Sequence, residues 1–182
     1  MKHRDPEDEI VVLFDETNGT KSVENFLDKQ DSIILHKKPF TGDFAEHKNA
    51  LNSYCNGNWI FQLDADEYPD DYLMKSFRYI IDTNPDVQAF WVPRINTVQG
   101  LTPAHVDKWR WTVDAKGRVN YPDYQMRLYV NDSNVAWTGR VHEQLTGYDK
   151  YAHLPANPEF CIHHPKSIER QERQNNFYDT LS

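Results

Sequence analysis

Asp64, Asp66 and Glu67 follow directly on an apolar run, residues 59–63, in this chain of 182 residues. The run reads as a buried strand that ends abruptly in three carboxylates. In open α/β sheets, ligands sit beyond the carboxyl ends of the strands. Asp64 and Asp66 are two apart, so an extended chain points both to one side. Two carboxylates that converge repel unless a cation joins them. Hard divalent cations take oxygen ligands and keep positions open for substrate phosphates. The expectation is a Mg²⁺ or Mn²⁺ site that holds a nucleotide diphosphate. For a bare Asp-x-Asp the competing reading is a solvated acidic turn before the next helix.

The elements that must position these residues follow from periodicity and turn chemistry. Residues 9–14 read as a short β-branched strand, and residues 15–20 as a turn. Ser22 caps a helix through Asp28, and residues 32–36 form a second strand. Asp43 caps a helix over residues 44–54, and residues 56–58 turn the chain into the strand at 59–63. Pro69 and Asp70 open a helix over 72–82, stopped by Asn84 and Pro85. Residues 88–93 form a fourth strand. This order implies an α/β fold, a mostly parallel central sheet flanked by helices, with right-handed crossovers. Beyond Ile95 come long loops (96–122), short strands at 125–129, 136–137 and 160–162, and a polar helix over 167–181 anchored by Ile168, Phe177 and Leu181. No repeat or linker interrupts the sequence, so one domain over 1–182 is the economical reading.

Formal net charge is -8. It argues against nucleic acid as a partner, because phosphate backbones demand basic patches. Aromatic residues make up 13% of the chain, enough either to line a sugar-binding cleft or to fill a core. No apolar run has the length of a membrane span, and the start lacks the apolar core of a signal peptide. Cytoplasmic residence is the default expectation. Cys55 and Cys161 give neither a disulfide framework nor a zinc pattern.

Several separated pieces share one pattern. Asp15 ends the first strand in a turn, and Phe44, Ala45, Lys48 and Asn49 lie on one helix. Asp64, Asp66 and Glu67 follow. Arg127, Leu128 and Tyr129 lie on a late strand, then come Gly139 to Glu143 and the pair His163 and His164. In order and spacing the chain resembles the family 2 glycosyltransferases of GT-A fold, especially bacterial-type sugar transferases that build surface glycans. Members of that family begin with a strand before the one at residues 9–14. Here eight residues precede Glu9, so the expectation is a chain N-terminally short of the usual first strand.

The resemblance implies a metal-dependent inverting transfer of a sugar from a UDP- or GDP-linked donor to a glycan or other hydroxyl acceptor. It makes Asp66 the direct metal ligand, with Asp64 on the ribose or reaching the metal through water. A late histidine completes the set, and the alignment favours His164 over His163. Glu143 is the expected general base and Asp123 the reserve. An ion pair of Glu143 with Arg140 competes with that role. Asp15 would contact the base or ribose, against simple turn stabilisation. Lys48 would approach the diphosphate, against a solvated helix charge. Trp109 and Trp111, in the 96–182 acceptor-side portion, form an acceptor platform or pack in a core. A nucleotidyltransferase lacks the Gly-rich basic loop it needs here. A non-catalytic glycan-binding or assembly module is the other alternative. The sheet edge left open by the absent strand can pair with a second chain.

Overall fold

The structure, a computed structural model, describes residues 5–179, so Leu181 lies outside the described residues. In chain order the elements begin with β1 (Val11–Asp15), α1 (Lys21–Leu27), β2 (Ile34–Lys38), α2 (Phe44–Asn52), β3 (Trp59–Phe61) and β4 (Tyr68–Pro69). There follow α3 (Asp71–Thr83), β5 (Ala89–Gln99), α4 (Pro103–Trp109), β6 (Val119–Val130), β7 (Ala136–Thr138) and β8 (Gln144–Thr146). The chain closes with β9 (Tyr151–His153), a 3-10 turn at Pro158–Phe160, β10 (Ile162–Ser167) and α5 (Ile168–Asp179). These elements divide into two units. Among the described residues, one unit holds 61–129 and 148–179, and the other holds 5–60 and 130–147.

In the second unit β1 and β2 pair in parallel around α1. Local capping sets the helix starts. Thr20 caps α1, and the Asp43 side chain accepts a bond from the Glu46 amide at 2.9 Å to open α2. β7 and β8 form an antiparallel hairpin. Asn49 of α2 ties to it twice, its side chain donating to the Trp137 carbonyl and accepting from the Trp137 amide, both at 2.8 Å.

The first unit is built around β5. β6 lies antiparallel on one side of it and β10 parallel on the other, with β4 antiparallel beyond β10. β9 pairs in parallel with the start of β5. The fold is therefore mixed α/β, and the mostly parallel sheet expected from the element order is not found. Alternation of strands and helices does not fix which strands become neighbours. β1 and β2 pair in a sheet of their own, and β6 returns antiparallel. Helix α3 starts on the Asp70 cap and buries Leu73 and Ile80, seven residues apart on one face. Phe77, on the same face, meets the Phe61 ring at 4.4 Å. Phe90, Val92, Leu128 and Ile162 supply the buried strand positions. Each such side chain contributes about 1.5–3 kcal/mol by leaving water.

Strand pleating then sorts the polar residues. Asp123, Gln125 and Arg127 alternate along β6, Arg94 and Asn96 along β5, and His164 and Lys166 along β10. Register sets Arg94 beside Asp123 and Asn96 beside His164. One set of strand positions thus gathers seven polar side chains.

Candidate functional site

The acidic segment does not continue as a strand. β3 stops at Phe61, and the Glu67 amide donates back to the Asp64 carbonyl at 3.0 Å. The Asp64 amide in turn donates to Glu67 Oε2 at 3.1 Å. This closed turn replaces the extended geometry that would put Asp64 and Asp66 on one side, and the three carboxylates part company.

Glu67 goes inside. Its side chain has no exposure, and Oε1 accepts 2.7 Å bonds from both Arg127 and Arg94. Arg127 also reaches Asp64 at 2.5 Å. Burial opposes the charge of the Arg127 guanidinium, but Asp64 and Glu67 overcome it and raise its pKa further. Arg94 links Glu67 to the less buried Asp123, donating to it through Nε and Nη2 at 2.9 and 2.7 Å. Asn96 and Gln125 fill the remaining Asp123 positions at 2.8 Å each. Asp123, the reserve base, thus accepts three bonds on Oδ2 and one, from Gln125, on Oδ1.

Asp66 goes to the rim. Its Oδ2 lies 3.1 Å from His164 Nε2 and 3.0 Å from Arg170 Nη2. Burial pushes this carboxyl up. The hydrogen bond from His164 and the charges of His164, Arg170 and Lys166 outweigh burial and hold it well below the usual carboxylate range. The imidazole is oriented from behind. The Asn96 amide nitrogen is committed to Asp123, so its oxygen faces His164 Nδ1 at 2.8 Å. Nδ1 must therefore carry a proton, and Nε2 is the atom turned to Asp66. His163 points elsewhere, stacked on the Tyr68 ring at 5.0 Å.

Lys166, two residues beyond His164, completes the rim. Burial lowers its pKa; the Asp66 charge opposes this, while Arg94 and Arg170 add to the lowering. Lys166 and Arg170 open on a cavity of about 640 Å³ that is also lined by Lys116, Gln99, Thr97 and Ser167. A lining that carries Lys116, Lys166 and Arg170 thus adjoins a carboxylate that stays charged.

Asp66 Oδ2 and His164 Nε2 face each other directly at 3.1 Å, so a divalent ion held by this pair would have to displace the proton between them. A histidine whose other nitrogen is held by an amide oxygen is the usual form of a metal-bound imidazole. Asp64 does not join them, because Arg127 holds it. Among the described residues no group of three His, Cys, Asp or Glu side chains converges as a metal cage. An ion at this rim would take its other ligands from water and a bound phosphate.

The remaining expected site residues lie in the other unit. Glu143 follows a turn with left-handed Gly139 and His142, φ 93° and 56°. Its carboxylate pairs with Lys48 at 2.5 Å, and Lys48 also sits 4.2 Å over the Trp137 ring. The competing pairing with Arg140 is not found; Arg140 Nε donates to the Gly42 carbonyl. Asp15 caps its own turn, accepting from the amides of Thr17 and Phe40 at 2.8 and 2.9 Å and from the Asn18 side chain at 2.8 Å. That is the turn-stabilising role.

No protein-family model matches the chain. Over 77 residues it is 31% identical to the type II restriction enzyme Sau3AI of Staphylococcus aureus. The match covers 41% of this chain and 13% of that enzyme. This likeness overturns the expectation of a sugar transferase, and with it the nucleotide-sugar donor and the glycan acceptor. It also overturns the exclusion of nucleic acid. That exclusion rests on net charge, a sum over the whole chain, whereas phosphate contacts depend on local clusters such as Lys116, Lys166 and Arg170. No helix among the described residues is long and apolar enough to cross a membrane.

Arg94, Asn96, Lys166 and Arg170 are the site members that sequence reasoning missed, whereas Arg127 takes the acid pairing that was one of the roles open to it. Period-two spacing held the signal: Arg94 with Asn96, and His164 with Lys166. Ending the fourth strand at Pro93 and the last strand at Ile162 hid it.

Proposed function

We propose that the chain is part of an enzyme that grips nucleic acid by its phosphates and cleaves a phosphodiester with the aid of a divalent ion. One observation carries this reading: Asp66, held charged by His164 and Arg170, pairs directly with Arg170, which together with Lys116 and Lys166 lines a cavity. A carboxylate beside a cationic hollow suits a metal-bridged phosphate. Its likeness over 77 residues to a restriction enzyme, a class that cuts DNA, supports the same reading. The chain spans a small part of that relative, so activity of the whole protein is part of the proposal.

In this account Lys116, Lys166 and Arg170 receive phosphate oxygens. Asp66 and His164 would hold the ion, and Asn96 keeps His164 Nε2 aimed at it. When bound, such an ion polarises a phosphoryl oxygen and acidifies a water. Burial lowers the Lys166 pKa from its ordinary value, and the Asp66 charge opposes that lowering. Glu67, Arg94, Arg127 and Asp123 hold the strands that carry these groups and touch no substrate.

Labelled DNA incubated with Mg²⁺, with Mn²⁺ or with a chelator tests this. Cleavage should need the metal and should fall at least 100-fold in Asp66→Asn. A second reading is a nucleic-acid-binding part without cleavage, favoured by Arg127 holding Asp64 away from Asp66. Binding without cleavage in either metal would select it. Absence of binding would reject both.

A further inference from the structure

Residues 105–121 carry an arrangement that the phosphate site does not use. Helix α4 is fixed at its start by Thr102, Pro103 and a reciprocal bond with His105. It ends at Arg110, a non-glycine residue in the left-handed region at φ 54° and ψ 41°. That conformation is uncommon for a side-chain-bearing residue, and its effect here is specific. It folds the chain back, so that the Trp111 amide reaches the Val106 carbonyl at 3.0 Å and the Trp111 ring lies 4.6 Å from the Trp109 ring. His105 stacks on the other neighbour position, 5.3 Å from Trp109 with 13° between planes. Three aromatic rings thus form a continuous tier. It is not core: Trp137 is buried, whereas His105, Trp109 and Trp111 are half-buried.

Charge distinguishes this tier from an ordinary apolar patch. The segment carries Lys108, Arg110, Lys116 and Arg118 against Asp107 and Asp114, in a chain whose net charge is -8. The Lys108 ammonium lies 5.7 Å over Trp109, and the Arg118 guanidinium 3.6 Å over Tyr121. The segment is also continuous with the phosphate site. Asp114 accepts from the amides of Lys116 and Arg118, closing a turn whose Lys116 and Gly117 line the cavity.

We propose that the His105–Trp109–Trp111 tier stacks unpaired bases of single-stranded nucleic acid while the neighbouring cavity takes its phosphates. Stacked aromatics with interleaved cations are the general means of holding a single strand, because every base has a π-face. Paired bases of a duplex offer no such face. The inference rests on the phosphate reading above and narrows its substrate to a strand with exposed bases.

The test compares three probes by fluorescence anisotropy on the full chain: an oligothymidylate, an abasic strand of equal length, and a duplex. The wild-type protein should bind oligothymidylate most tightly and quench its own tryptophan emission on doing so. Trp109→Ala should weaken oligothymidylate binding about tenfold and leave the abasic strand unchanged. Trp109→Tyr, which keeps a ring, should restore most of the loss and controls for misfolding. Lys166→Gln should weaken both strands alike. Equal affinity for the abasic and thymidylate strands, with Trp109→Ala indistinguishable from wild type, would overturn the platform and leave the phosphate reading standing. Failure of every probe to bind would remove the phosphate reading and the platform with it.

Discussion

Glu67 and Asp66 are adjacent in sequence and opposite in fate. Glu67 sits in the interior of a polar network, 0% exposed, closed by two arginines and an amide. Asp66 sits at the rim, where its partner Arg170 is 52% exposed and a cavity opens. The interior uses its charges up on one another; the rim carries cations beyond those its carboxylate pairs with. The comparison teaches that an acidic motif names candidates and that the strand face behind it decides which of them stays available. Taking ions out of water is costly, and a buried pair repays this only when every partner is present. The interior is therefore sensitive to loss of any member, and the rim is tolerant in stability while responsive in binding.

The largest break in that comparison comes from the interior. Glu67→Ala leaves Arg94 and Arg127 facing each other without their shared counter-charge, and should cost about 3–5 kcal/mol. Urea unfolding measures it; a loss under 1 kcal/mol would mean that the network does not hold the sheet. A smaller effect is expected at the rim. Asp66 has a folded pKa below its ordinary 3.8, so its contribution to stability is full above that value and is lost as pH falls through the lower folded pKa. Asp66→Asn should therefore lower stability at pH 7, by less than Glu67→Ala does, and flatten the fall in stability on acidification below about pH 4. An unchanged acid limb would place the Asp66 charge outside the linkage. The smallest effect belongs to the other unit. Glu143→Gln removes one ion pair, but Lys48 keeps the Trp137 ring, and the cost should be about 1 kcal/mol by the same unfolding measurement. A cost as large as that of Glu67→Ala would erase the distinction between closed interior and simple pair.

Local signals were legible. Asp43 and Asp70 cap α2 and α3 where their residue types say they should, because a cap needs only its own side chain and the next three amides. Non-local choices were not. Pro93 made the fourth strand end early, yet β5 runs to Gln99 and pairs Pro93 with Tyr124 across the antiparallel ladder. Pro158 opens a 3-10 turn where a strand over 160–162 was expected, so β10 begins at Ile162 and carries His164 and Lys166 onto one face. Helix α4 lay inside the expected loop, although Thr102 and Pro103 marked its start. Of the site, Asp66 and His164 were both named, as metal ligands, but the choice of His164 over His163 came from the resemblance and not from the strand pattern, and their direct pairing was not foreseen. The recruitment of Glu67 and Asp123 by arginines was not legible, since it depends on which strands lie side by side. Net charge misled for a related reason: the cations that matter come from a turn, a strand and a helix that meet only after folding.

The proposal that the rim grips phosphates is tested most directly by the salt dependence of binding to a labelled DNA strand, wild type against Lys166→Gln. The account predicts affinity that falls steeply with salt, and a variant that binds more weakly with a log–log slope shallower by about 1. No binding at low salt, or a variant with the wild-type affinity and slope, would contradict it.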